Sequence, residues 1–322
     1  MTLRRGWAHL AVLWAVSPAG ATLGPWIEHP EVRLRAIAAA QVAARADEVD
    51  LGLEFVTRPG WHVYWKNPGD AGFPMRVESA SAVLDDLELS YPAPHRYRLP
   101  GDLQALGYEG AVVYPLHGRL RAAPTAERVA LQLTLDFLVC EVECVPYRDE
   151  PRIELAVGTE PRLDDEAAAL LAGWWQRVPG PPDPELQVQA NLAGTLAEPV
   201  ATFHFRGPPA VSRFADLFLE AHPAVDFGVP ARQPTASGVR FDVTLRPKAR
   251  RREGLGTLEL SWTATGLPGD RAVASRTRLE TARSVPGAAF PARVTLAALV
   301  CTSLLFAAAL VFRRIRRRRN PR

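Results

Sequence analysis

The sequence predicts a mainly β protein: two β-sandwich domains followed by one apolar helix. Three observations carry this. Short segments alternate apolar and polar residues, with turn residues between them. The 322 residues include 29 Pro and 23 Gly, a turn-rich composition. Near the C-terminus, Val294 to Phe312 carries no charge. At a helical rise of 1.5 Å per residue it reaches about 28 Å, enough for a bilayer core.

The ends set the expected topology. Arg4 and Arg5 precede the apolar stretch Trp7 to Val16, and Ala19-Gly20-Ala21 offers small residues for cleavage. This is the pattern of a secretion signal over residues 1–21. At the other end, Arg313, Arg314 and Arg316 to Arg319 follow the apolar run directly. Positive residues stay on the cytoplasmic side, so the body is expected outside the cytoplasm, held by a single pass at 294–312. The net charge of +3 is smaller than what the tail at 313–322 supplies by itself. The body is therefore near neutral, and nothing in it points to nucleic acid.

Within the body, Val49, Leu51, Leu53 and Phe55 share one face of a first strand. Arg58-Pro59-Gly60 is a turn, the aromatic segment Trp61 to Trp65 follows, and Asn67 to Asp70 reads as a second turn. Val112–Leu116, Leu131–Phe137 and Arg152–Val157 complete a unit over 22–158. Asp164 to Arg177 reads as a helix capped by Asp164 or Asp165 and stopped by Pro179-Gly180-Pro181-Pro182. That helix and the Pro-rich segment, 159–185, separate a second unit at 186–280. Its expected strands are Leu186–Ala190, Ala201–Phe205, Val239–Leu245, Thr257–Thr263 and Ala272–Leu279. This unit has no Cys and two His, and a tether at 281–293 leads to the apolar helix.

Three cysteines are present. Cys301 lies in the apolar helix, where a small apolar residue fits. Cys140 and Cys144 flank Glu141-Val142-Glu143. On one straight strand they would sit about 13 Å apart, beyond the reach of a disulfide. Across a hairpin with a three-residue loop they face each other. Spacing alone leaves two readings open, a stapling disulfide or a redox pair. A ring this small supplies about 2 kcal/mol in the loop-entropy model, a weak staple for so large a body. No metal set is expected: no His or Met sits beside the pair, and His62, His95, His117 and His204 read as surface or turn residues.

The stretches Gly60-Trp-His-Val-Tyr-Trp-Lys-Asn-Pro-Gly-Asp-Ala-Gly-Phe-Pro74, Tyr91-Pro-Ala-Pro-His95, Gly107-Tyr-Glu-Gly110 and Phe137-Leu-Val-Cys-Glu-Val-Glu-Cys-Val-Pro146 occur in this order. Together they resemble the periplasmic N-terminal domain of DsbD-like thiol:disulfide interchange proteins, in particular the suppressor-of-copper-sensitivity B type. The resemblance covers residues 30–158 and extends more loosely over 186–280. It implies immunoglobulin-like β-sandwiches with the cysteine pair on a hairpin. In the family this domain takes electrons from a transmembrane donor and passes them to periplasmic thioredoxin-like or disulfide isomerase-like proteins, without a cofactor. Carried onto this chain, Cys140 and Cys144 match the redox pair. Trp61 and Tyr64 match the aromatic segment beside it, and Leu106 and Tyr108 fall in the Gln104–Tyr108 loop that shields it. Relatives continue into a multi-helix electron-conducting domain and a thioredoxin-like domain. Here one apolar helix with one Cys follows, so the expectation is either that a partner protein supplies electrons or that the chain is a truncated relative.

The expected function is thus a partner-dependent protein-disulfide oxidoreductase module at the inner membrane, with its bulk in the periplasm. Glu141 and Glu143, read as a solvated hairpin tip, disfavour a thiolate, so the pair is expected to react mainly in a docked complex. The alternative is a membrane-anchored scaffold in cytochrome c or copper handling with a static disulfide. A hydrolase finds no support: no nucleophile elbow, metal motif or phosphate loop is present.

Overall fold

The strand Arg128–Cys140 organises the first domain. Leu131, Leu133, Leu135, Phe137 and Val139 are buried on one of its faces, as the two-residue period of a strand requires. The computed structural model describes residues 22–44, 48–101, 103–121, 126–194, 198–248 and 257–279. The expected signal segment, the apolar helix with Cys301 and the Arg-rich tail lie outside these residues. Among the described residues, no helix is long and apolar enough to cross a membrane.

Two sheets make the first domain. One runs in the order Ile27–Glu28, Val32–Ala38, Glu48–Thr57, Ala111–Leu120, Leu84–Leu89. The other places Arg128–Cys140 between Arg152–Gly158 and His62–Gly69, and continues through Leu103–Glu109 to His95–Leu99. Cys144–Asp149 and Arg76–Ser79 also pair with Arg128–Cys140. Leu34, Leu53, Phe55, Val112 and Leu116 from the first sheet meet Val63, Trp65, Leu135 and Phe137 from the second in one core. Phe55 sits edge-on to both Tyr114 and Phe137, at 5.6 and 5.1 Å between ring centroids. The mainly β, immunoglobulin-like sandwich expected from the sequence is the fold observed.

The helix Asp165–Trp175 begins where expected. The Asp164 carboxylate accepts the Ala167 N–H at 3.0 Å, and this bond with a second from the Gln41 amide holds its pKa below the usual value. Ala167 and Leu171 bury against Ile37, Ala39 and Val113 on the outer face of the first sheet. The helix is therefore part of the first domain's packing as well as a connector.

In the second domain, Gln187–Gly194, Pro199–Arg206 and Gly238–Pro247 pair in order. They face a three-stranded sheet of Asp216–Leu219, Leu258–Leu267 and Arg271–Leu279. Phe203, Phe205, Phe241 and Trp262 fill the space between, with Phe205 edge-on to Trp262 at 5.0 Å. Three strands here escaped the sequence reading: Asp216–Leu219, Val225–Phe227 and Ala231–Thr235. They are short, and the Pro and Gly between them resemble loop composition.

Asp216–Leu219 and its flanks fasten the second domain to the first. The Arg96 guanidinium grips the Asp216 carboxylate through Nε at 2.9 Å and Nη2 at 3.1 Å. The Asn67 amide donates to the Leu219 carbonyl at 2.6 Å, and the Gln104 amide to the Phe227 carbonyl at 3.0 Å. Phe218 joins the first domain's core, its ring 6.1 Å from Trp65 and 4.9 Å beneath the Arg96 guanidinium. The Asn67 contact also corrects the expected turn at Asn67–Asp70. The strand runs on through Gly69, and a register shift between Tyr64 and Gly69 absorbs the turn-forming residues, with Gly69 at φ +94°.

Candidate functional site

Cys140 ends one strand and Cys144 begins the next, in direct register. They are joined as a disulfide across Glu141-Val142-Glu143. All three loop residues are exposed, Val142 at 79%. The two sulfurs have unequal surroundings. Cys140 is 2% exposed, whereas Cys144 is exposed. The strands around them explain the difference: Cys140 also pairs with His62 on its other side, whereas the strand of Cys144 pairs only with that of Cys140, and alternation sets the face that the two share. Phe137 and Val139 turn into the sandwich core, so Leu138 and Cys140 turn onto the outer face of the sheet. There they pack with Tyr64 and Ala105, flanked by Tyr97 and Leu99.

Tyr64 stands over the pair, its Oη 3.8 Å from Cys144 Sγ. Burial pushes its phenol above the ordinary value, so it stays protonated and can donate to that sulfur. Gly72 lies close against this ring. A Cβ at Gly72 would fall 2.4 Å from Tyr64 Cζ, and its φ of +94° disfavours any other residue. Gly72→Ala is expected to cost about 1–3 kcal/mol and to shift the tyrosine off the disulfide. A lowered denaturant midpoint together with faster reduction by dithiothreitol checks this. An unchanged reduction rate would show that Tyr64 is no cover.

The sequence-derived site residues divide by face. Tyr64 lies beside the disulfide. Trp61 is half-buried against the sandwich core. Leu106 and Tyr108 are buried in that same core, on the side of the sheet away from Cys140, and the Tyr108 hydroxyl donates to the Pro92 carbonyl at 2.6 Å. The expected loop at Gln104–Tyr108 is a strand, Leu103–Glu109, so every second residue turns away from the cysteines. Leu103, Ala105, Gly107 and Glu109 are the residues of this strand on the disulfide face.

The sequence reading assigned His62 to the surface or a turn. It is instead 4% exposed and pairs with Cys140 on one side and Glu109 on the other. Its ring stacks on Tyr97 at 5.4 Å and meets Tyr64 edge-on at 5.1 Å. Alternation along Trp61–Trp65 already gives it the face of Tyr64, two positions on; the burial of that face is what the sequence leaves open. Burial lowers its pKa below 6.5, partly offset by the Glu109 carboxylate. The unfolded chain therefore binds a proton more readily than the folded one. The His62 contribution is complete above the ordinary histidine value and is lost as pH falls below it, through the lowered folded value. Urea midpoints at about pH 8 and about pH 5 test this against the ordinary range: the wild-type protein should lose more stability on acidification than His62→Phe.

Among the described residues, no cluster of His, Cys, Asp and Glu is arranged to hold a metal ion. What the site presents is a disulfide with one exposed cysteine, an aromatic cover and an acidic rim of Glu109, Glu141 and Glu143.

Comparison with known proteins agrees with this geometry. Residues 33–154 match the family model described as thiol:disulfide interchange protein DsbD, N-terminal. Among solved structures, the N-terminal periplasmic domain of ScsB from Proteus mirabilis superposes with a TM-score of 0.64 at 16% identity, over 81% of this chain and 99% of that one. The YadV chaperone (12% identity, 76% of this chain and 99% of that one) and the Enterococcus faecalis MSCRAMM ACE (8%, 78% and 95%) give TM-scores of 0.20 and 0.19. No curated protein matches the sequence. With the Cys140–Cys144 disulfide in place, residues 33–154 are a DsbD-like N-terminal domain, of a thiol–disulfide exchange family, in a two-domain β fold shared with the ScsB periplasmic domain.

Proposed function

We propose that this protein exchanges disulfides with partner proteins through Cys144, with Cys140 as the resolving cysteine. The observation that carries this reading is the unequal exposure of two bonded cysteines on one hairpin end. Exchange proceeds by attack of a thiolate on a disulfide sulfur, and access selects which sulfur is attacked. An incoming thiolate reaches Cys144 Sγ. The new bond forms there, the Cys140–Cys144 bond breaks, and Cys140 leaves with the electron pair. A second donor thiolate then releases the protein with both cysteines reduced. In the other direction, the reduced Cys144 attacks a client disulfide and Cys140 closes the ring, so the client gains the two electrons.

The wider setting belongs to the same proposal. The body is exported and held at the inner membrane by the apolar segment 294–312. A separate transmembrane protein supplies electrons, and thioredoxin-like or disulfide isomerase-like proteins receive them. The acidic, exposed loop supports reaction inside a docked complex, because Glu141 and Glu143 oppose a free thiolate.

The reduction potential tests the exchange reading against a static staple. The expected value lies within the range of exchange proteins, roughly −120 to −270 mV. A value near or below about −300 mV would mark the bond as structural and defeat the proposal.

A further inference from the structure

Cys140, His62 and Glu109 stand side by side on three neighbouring strands, in register and on one face. Directly opposed side chains in such a sheet have Cβ atoms about 4.5–5.5 Å apart. The row therefore runs thiol, imidazole, carboxylate, the order in which a sulfur nucleophile, its base and the group favouring the charged base are arranged. Buried Cys140 faces a specific difficulty in exchange. It lies among Leu138, Ala105, Tyr64 and their neighbours, and an apolar surrounding opposes loss of the thiol proton. Solvent has little access to take that proton. The neighbouring His62 Nε2 is buried and has no hydrogen-bond partner. A buried donor or acceptor without a partner is uncommon and costly, so its retention needs a reason.

We infer that His62 is the proton acceptor for Cys140 in the resolving step of exchange. The inference rests on the exchange reading and adds a base to it. With a mixed disulfide on Cys144, His62 Nε2 takes the proton from Cys140 Sγ. The Cys140 thiolate attacks Cys144 Sγ, the ring disulfide forms, and the partner leaves as a thiolate carrying the electron pair. The cysteine pair loses two electrons and the partner gains them, and the imidazole returns its proton to water. In the reverse reaction the imidazolium protonates Cys140 as it leaves. The groups facing His62 are Tyr64 on its own strand, Tyr97 and Glu109 on the next strands, and the cysteine hairpin. Glu109 supplies the charge that favours the imidazolium. Both tyrosines are held neutral by burial, Tyr97 with its pKa pushed up to about 12.

An aromatic disulfide reagent that releases a coloured thiolate separates the two steps. Cys144 of the reduced protein releases the first thiolate, and ring closure by Cys140 releases the second. In His62→Gln the first step is expected to keep its rate, while the second slows by on the order of a hundredfold, within the range of general-base catalysis. The pH profile distinguishes a base from packing. The wild-type second step should level off above the histidine range and fall below it. The variant's should climb steadily with pH toward the thiol's own ionisation. His62→Phe, which keeps a ring between Tyr64 and Tyr97, repeats the measurement if glutamine weakens the fold. A second step with wild-type rate and plateau in either variant overturns the inference alone. Failure of the first step in the wild-type protein overturns the exchange reading and the inference with it.

Discussion

Cys144→Ser is expected to abolish exchange, whereas Cys140→Ser is expected to leave a protein that captures its partner and holds it. The reason is the unequal exposure of the two cysteines. With Cys144 removed, the remaining thiol is 2% exposed, beneath Tyr64 and Leu138. Partner disulfides cannot reach it, and its rate should fall on the order of a hundredfold or more below that of an accessible thiol. With Cys140 removed, Cys144 keeps its exposed position and the Tyr64 hydroxyl beside it. It can form the mixed disulfide, and no second thiol lies at hand to release it. Purification of both variants without reductant, followed by identification of disulfide-linked proteins, reads the result directly. Capture by Cys140→Ser and not by Cys144→Ser is the expected outcome. Equal capture by both would refute the assigned order of attack, and capture by neither would count against exchange altogether.

The largest expected effect on stability belongs to a residue of the second domain. Phe218 is 2% exposed and lies in the core of the first, against Trp65 and beneath Arg96. Phe218→Ala removes most of a ring from a packed site and is expected to cost about 3–5 kcal/mol. Much of that loss should fall on the fastening between the domains, because the ring is a residue of the second domain buried in the core of the first. Unfolding by urea should then split into two transitions where the wild-type protein shows one. Lys66→Ala is the control. Its ion pair with Glu220 crosses the same junction but is more than a third exposed, and its loss should cost under about 1 kcal/mol. A single, barely shifted transition in Phe218→Ala would mean that the domains hold together without it.

What the sequence disclosed follows from local physics. Val49 to Phe55 and Leu131 to Phe137 announced strands because each buries one face, and period two leaves no other assignment. Asp164 announced a helix because a carboxylate there satisfies an N–H that the helix cannot. The hairpin at Glu141–Glu143 followed from the length of a disulfide. The misses have a common cause in tertiary pairing. Leu103–Glu109 read as a loop, and its strand character depends on being bracketed by His62–Gly69 and His95–Leu99. With the strand came the alternation that turns Leu106 and Tyr108 away from the cysteines. Alternation in Trp61–Trp65 does place His62 on the face of Tyr64, opposite Val63 and Trp65, but its burial escaped the reading for the same reason, since a histidine in an aromatic run does not declare which neighbours will cover it. The junction residues Arg96, Asn67 and Gln104 gave no sign either, their partners lying more than a hundred residues further along the chain.

The disulfide closes a ring of only three intervening residues at the end of one hairpin. Opening it frees almost no chain, and the loop-entropy model assigns the difference only about 2 kcal/mol. The ladder beneath it runs from Val139↔Val145 to Leu135↔Asp149 and does not depend on the bond. The loaded and unloaded forms therefore share one outline. Under the proposed exchange, a donor and a client could not tell them apart by shape, and traffic would be directed by the electron affinity of whoever docks. In that reading the protein is a fixed terminal rather than a valve.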